Sequence, residues 1–116
     1  MIRIFKTEDG AIHQKDEITA GCWIALTDPT ATEILEIADR YHIDPDDLRA
    51  PLDEEERSRI ETEEGYSMIL VDIPVIEERN GNDWYETIPM GIVTTDEAII
   101  TVCLEDTAVL GAFMDG

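Results

Sequence analysis

YSMILVDIPVIEERNGNDWYETIPMGIVTT, residues 66–95, is the stretch whose reading decides the fold. Tyr66 to Ile76 reads as a long strand, and its middle, Met68 to Val71, is apolar on both faces. A strand of that kind belongs in the centre of a sheet. It is covered on both sides, or by helices on one side and a partner on the other. Asn80-Gly81-Asn82 is a strong turn signal. Trp84 to Thr95 then returns as the next strand, with Pro89 and Gly91 predicting a bend or bulge. This hairpin is part of a mostly antiparallel meander expected over residues 58–104.

The pattern extends outward from that hairpin in both directions. After it, Asp96-Glu97 is a short link to a strand over Ala98 to Leu104, and Thr107 to Met114 reads as the first turns of a helix. Before it, Arg59 to Glu63 alternates, with Ile60 and Thr62 opposite Glu61 and Glu63. Further back the period is helical. Asp28-Pro29 offers an N-cap with proline at the first helical position, and Thr30 with Glu33 offers an alternative capping box. Ile34, Leu35, Ala38 and Tyr41 follow at helical spacing. Asp44-Pro45-Asp46-Asp47 repeats the device for a shorter helix carrying Leu48 and Leu52. Residues 2–6 and Cys22 to Leu26 read as N-terminal strands, with a polar turn at Asp9-Gly10 between them. The expected fold is α+β: a mostly antiparallel mixed sheet packed with two or three helices, in one domain over residues 1–116.

Composition excludes several functions. With 28 acids against 8 bases the formal charge is −20, the wrong sign for nucleic acid or an anionic membrane surface. It leaves cations, a basic protein partner, or plain solubility. The longest apolar run, Met68 to Val71, falls far short of the ~20 residues a membrane helix needs, so no direct membrane insertion is expected. Cys22 and Cys103 form no CxxC pair and read as buried free thiols. His13 reads as a surface residue, and His42 as a structural one near the end of the first helix. No G-x-S-x-G, phosphate loop or G-x-G-x-x-G is present, and no catalytic group or catalytic cofactor is expected.

The acids concentrate around LDEEERSRIE, residues 52–61. A calcium loop of the EF-hand type fails, because Leu48 interrupts the pattern that Asp44 and Asp46 begin. Magnesium asks for less: one or two carboxylates in an octahedral shell that keeps several waters. The candidate metal ligands are Asp46, Asp47 and Asp53, with Glu54 to Glu56 beside them. Competing with this is a simpler reading. Asp44, Asp46 and Asp47 suit a helix N-terminus on their own, and the acidic run can be a solvated, cation-attracting bend in which Arg57 and Arg59 pair locally.

The order of these features resembles the N-terminal cytosolic domain of CorA-type magnesium and cobalt transporters. The stretches that carry the resemblance are CWIALTDPTATEILEIADRYHIDPDDL, LDEEERSRIETEEGYSMILVDIPV and TIPMGIVTTDEAIITVC, together spanning roughly residues 20 to 104. The resemblance implies a cytosolic regulatory domain at the cell membrane of a homopentameric channel, whose gating responds to magnesium or another divalent cation. It also implies that these residues are the front part of a longer transporter and do not conduct by themselves. As a separate fragment the chain could be a monomer or a dimer. One departure stands out: family members carry an adjacent Glu-Asp pair in the second helix where this chain has Arg49 and Ala50. The alternative is a free-standing acidic module that binds a basic protein.

Overall fold

A computed structural model describes residues 1–53 and 59–104. Seven strands appear among them: β1 (Ile2–Glu8), β2 (Ala11–Lys15), β3 (Cys22–Thr27), β4 (Arg59–Glu63), β5 (Tyr66–Arg79), β6 (Asn82–Thr95) and β7 (Ala98–Cys103). They form one sheet in the order β2-β1-β3-β7-β6-β5-β4. Between β3 and β4 the chain makes α1 (Ala31–Tyr41), α2 (Pro45–Arg49) and a 3₁₀ turn, Ala50–Leu52. The fold is α+β, as expected. Thr107 to Met114, Glu54 to Glu56 and Arg57 lie outside the described residues.

The hairpin forms as its sequence predicts and runs further. β5 and β6 pair in one unbroken antiparallel register from Tyr66↔Thr95 to Arg79↔Asn82. Asn80 and Gly81, both at positive φ (52° and 78°), make the two-residue turn whose twist matches that of the strands. The expected bulge at Pro89 and Gly91 is absent. Pro89 sits one residue beyond the stretch paired with β7, Met90–Thr94, so its missing N–H leaves that ladder intact. Gly91 answers to packing instead. A Cβ there would overlap Cγ of Pro51, so glycine lets the 3₁₀ turn settle directly on β6.

The centre of the sheet also differs from expectation. Tyr66 to Ile76 was expected to be central, but β5 lies next to the edge and β7 occupies the middle. β7 pairs parallel with β3, from Cys22↔Ala98 to Thr27↔Cys103, which is what makes the sheet mixed. Parallel pairing requires a crossover, and α1 and α2 lie on that path over one face. Their side chains join Ile24, Leu26, Met68, Val93, Ile100 and Val102 in the main core. In the opposite direction β5 turns Val71 and Ile73 into a second, smaller cluster with Ile88, Met90, Ile92, Cys103 and Trp23. The two-sided apolarity of β5 thus reflects two clusters and not a central position. One strand, β2, goes beyond the expected elements: its five residues follow the turn at Asp9-Gly10 and pair with β1 from Ile4↔Lys15 to Glu8↔Ala11.

α1 shows how locally the entry is set. Of the two proposed caps, Thr30 is the one used: its hydroxyl accepts from the Glu33 amide and Glu33 accepts from the Thr30 amide. Asp28 instead has a positive φ of 42°, with its amide donating to the Cys103 carbonyl at 2.9 Å. The Met1 ammonium reaches the same Glu33 carboxylate at 3.0 Å. The Thr30 amide and that ammonium hold the Glu33 carboxyl below its ordinary range. The buried stripe is Ile34, Ile37 and Ala38, while Leu35 is 49% exposed. At 100° per residue Leu35 falls off the face defined by Ile34, Ile37, Ala38 and Tyr41. His42 ends the helix at φ 55°, and the next amide, Ile43, returns to the Ala38 carbonyl at 2.9 Å.

The Gly91–Pro51 contact gives a direct test. Gly91→Ala lowers stability by about 1–3 kcal/mol through overpacking, measured by urea denaturation. In a Pro51→Ala background the same substitution costs distinctly less, because the overlapping Cγ is gone. Equal costs in both backgrounds contradict this assignment.

Candidate metal centre

The acidic candidates separate once the chain is folded. Asp44 caps α2: its side chain accepts from the Asp46 amide at 2.9 Å. Asp46 points outward, its side chain 85% exposed, and meets the Arg49 guanidinium at 3.2 Å on the next turn. That arrangement is a helix-surface ion pair of small energetic weight. Asp53 follows the 3₁₀ turn, exposed, with its amide donating to the Ala50 carbonyl at 3.1 Å. Asp47 alone of the three turns toward the sheet, where it is half-buried.

There Asp47 meets two residues that were read only as the polar face of a strand. Glu61 and Glu63 of β4 each place a carboxylate oxygen such that these and one from Asp47 all lie within 4.8 Å of one another. Spacing of two along a strand puts both glutamates on one face, and the β4–β5 register sets Glu63 opposite Tyr66 and Glu61 opposite Met68. That is the helix-bearing face, so α2 lowers Asp47 onto the pair. Asp46 and Asp53 are not members of this group. The period-two pattern of Glu61 and Glu63 was visible in the sequence. Their meeting with Asp47 was not, because it depends on where α2 sits on the sheet.

Two neighbours organise the cluster. The Tyr66 hydroxyl donates to Asp47 Oδ2 at 2.5 Å and accepts from the Asp44 amide at 3.2 Å. It therefore ties the start of α2 to the start of β5. Burial, and next the Asp47 carboxylate that accepts its proton, push the Tyr66 pKa up to about 12. The Arg59 guanidinium meets Glu61 Oε1 at 2.8 Å, which fulfils the expected local pairing for that arginine. Three carboxylates and one guanidinium leave these four groups at −3 + 1 = −2. At this spacing each carboxylate pair repels by roughly 1–4 kcal/mol between aqueous and near-surface screening. A divalent cation would remove that repulsion. The donor set is all oxygen, partly exposed and only partly committed to Tyr66 and Arg59, which suits a hard ion that keeps some of its waters.

The family described as CorA-like Mg2+ transporter protein matches residues 19–115. The chain belongs to the CorA family. Among solved structures it is similar to the soluble domain of CorA from Methanocaldococcus jannaschii, at 23% identity and a TM-score of 0.77, over 99% of this chain and 45% of that one. It is also similar to the complete CorA magnesium transporter of the same organism, at 21% identity and a TM-score of 0.75, over 99% of this chain and 36% of that one. The full-length CmaX protein shares the fold at 8% identity and a TM-score of 0.67, over 98% of this chain and 37% of that one. No curated protein sequence matches the chain. The chain thus spans less than half the length of the CorA structures it resembles. None of its described helices is long and apolar enough to cross a membrane.

Tyr66→Phe removes both hydroxyl contacts and leaves the Asp44 amide and Asp47 carboxylate to water. A loss of about 1–2 kcal/mol is expected in urea denaturation at neutral pH. The pH dependence has a defined sign. Below pH ~10 the tyrosine is neutral folded and unfolded; from there to about 12 the unfolded chain loses the proton that the folded chain keeps. The contribution of Tyr66 to stability is therefore lost as pH rises through this window. The stability difference between wild type and Tyr66→Phe should shrink there; a constant difference contradicts the assignment.

Proposed function

We propose that this chain is the regulatory, non-enzymatic soluble domain of a CorA-type divalent-cation transporter, on the cytosolic side of the membrane. In this reading Asp47, Glu61 and Glu63 hold the regulatory cation, with magnesium as the principal ion and cobalt as a second. The observation that carries the site is the convergence of three carboxylates from α2 and β4. Family membership over residues 19–115 supports the transporter assignment.

The chemistry is binding and linkage. An ion at the seam between α2 and β4 ties a short helix to an edge strand that is otherwise repelled by its charge. A regulatory ion shifts gating only as far as its affinity differs between the two gating states, so a site whose ligands come from two different elements is suited to the task. Asp46 and Asp53, with the rest of the acidic surface, raise the local cation concentration without ligating. Arg49, where family members carry an acid, is already paired with Asp46, so the cation site shifts toward β4. In the full-length protein the assembly is a homopentamer, and this domain neither conducts nor enters the membrane.

Calorimetric titration with magnesium at constant ionic strength tests the reading. Saturable binding that survives added sodium chloride, and is lost in Asp47→Asn with Glu61→Gln, is expected. At tenfold excess over Kd the bound ion should stabilise the fold by about 1.4 kcal/mol. A signal that sodium reproduces, or that the substitutions leave intact, refutes the site; it leaves a cation-attracting surface or a basic protein partner.

A further inference from the structure

Proline placement tells which edges of the sheet are closed. β5 and β6 outrun their outer neighbours: β4 pairs only with Tyr66–Leu70, and β7 only with Met90–Thr94. Beyond those stretches the two strands run on together to the turn at Asn80-Gly81, and among the described residues no strand pairs with their outer sides. Pro74 and Pro89 stand on these two outer edges. They lie opposite Thr87 and Asp72, two positions apart in one unbroken ladder. Both therefore belong to pairs that exchange no hydrogen bond, and both turn the position of the missing N–H outward. Each edge thus lacks a donor that an incoming strand would need.

β4 carries no such guard. With Pro74 turned toward the β4 side, so are Tyr66, Met68 and Leu70, which makes their pairs with Glu63, Glu61 and Arg59 the hydrogen-bonded ones. The N–H and C=O of Ile60 and Thr62 then point away from β5, and among the described residues no strand takes them up. Ile60 is 75% exposed and Thr62 is exposed beside it, whereas β2, at the other end of the sheet, shows no exposed large apolar residue. On the opposite face of β4 stand the carboxylates of Glu61 and Glu63 with that of Asp47, against the Arg59 guanidinium.

We propose that the outer edge of β4 is a docking site for an extended segment of a basic partner protein, added antiparallel as an eighth strand. The partner's lysines or arginines alternate with apolar residues. Its basic side chains lie over Glu61 and Glu63, and its apolar ones cover Ile60. Charge selects this occupant: a second copy in the same place would set its own Glu61 and Glu63 against these, and like charges across a strand pair repel. The site shares its carboxylates with the seam between α2 and β4, so magnesium bound there weakens the strand. Only that last coupling rests on the cation reading.

Fluorescence anisotropy with a short labelled peptide of alternating lysine and valine, at constant ionic strength, tests the proposal. In an antiparallel pair the valine amides face β4 and the lysine amides face solvent. Methylating the valine amides is expected to weaken binding at least about tenfold, and methylating the lysine amides to spare it. Thr62→Pro removes one outward donor, leaves the β4–β5 pairs intact and is expected to weaken binding similarly. Ile60→Lys, at an exposed position, weakens it as well, while Leu35→Lys, the same charge change on exposed α1, leaves it unchanged. Equal binding of the two methylated peptides overturns the proposal, as does equal weakening by Ile60→Lys and Leu35→Lys, which would mean attraction to the acidic surface as a whole. Edge binding that magnesium does not weaken supports the docking site and counts against the cation at the seam.

Discussion

The parallel pairing of β3 with β7 is the constraint on which the rest of this molecule depends. It joins Cys22–Thr27 to Ala98–Cys103 across most of the chain, and both strands are buried almost throughout. Backbone groups so deep in the sheet are satisfied only by each other and by their outer neighbours, β1 and β6. Everything between the two strands must therefore leave the sheet centre and return. The chain does so first as helices over one face and then as the antiparallel run β4–β7. That route fixes which face carries α2, and hence which side of β4 can meet it.

The acidic cluster follows from this geometry. Asp44 and Asp47 begin a five-residue helix too short to be stable alone, so its position depends on Leu48 in the core and on the Tyr66 hydroxyl. Tyr66 stands at the first position of β5, opposite Glu63. One side chain thus joins helix start, edge hairpin and carboxylate cluster. Burial and hydrogen bonding keep that phenol neutral and donating, so Asp47 is oriented by a group that brings no positive charge to compete with a cation.

Much of the fold was legible from residues alone. Period-two alternation with Asn80-Gly81 marked the hairpin, and Thr30 with Glu33 marked the start of α1. Leu35 and Ile37 are equally apolar, and strict 100° spacing from Ile34, Ala38 and Tyr41 separates the exposed one from the buried one. What was not legible depended on partners distant in sequence. Gly91 reads as a bulge until Pro51 is found against it. β2 lacks an apolar stripe and owes its existence to pairing with β1. Of the metal candidates, Asp47 could be named as an acid near a helix start. Glu61 and Glu63 required knowledge that α2 lies over β4, which no local pattern encodes.

The central claim is that the seam between α2 and β4 holds a divalent cation. Locating the ion in crystals grown with manganese in place of magnesium, by its anomalous scattering, tests this most directly. The account predicts a peak about 2.0–2.5 Å from carboxylate oxygens of Asp47, Glu61 and Glu63. Peaks confined to other acidic surface, with that seam empty at saturating manganese, would contradict it.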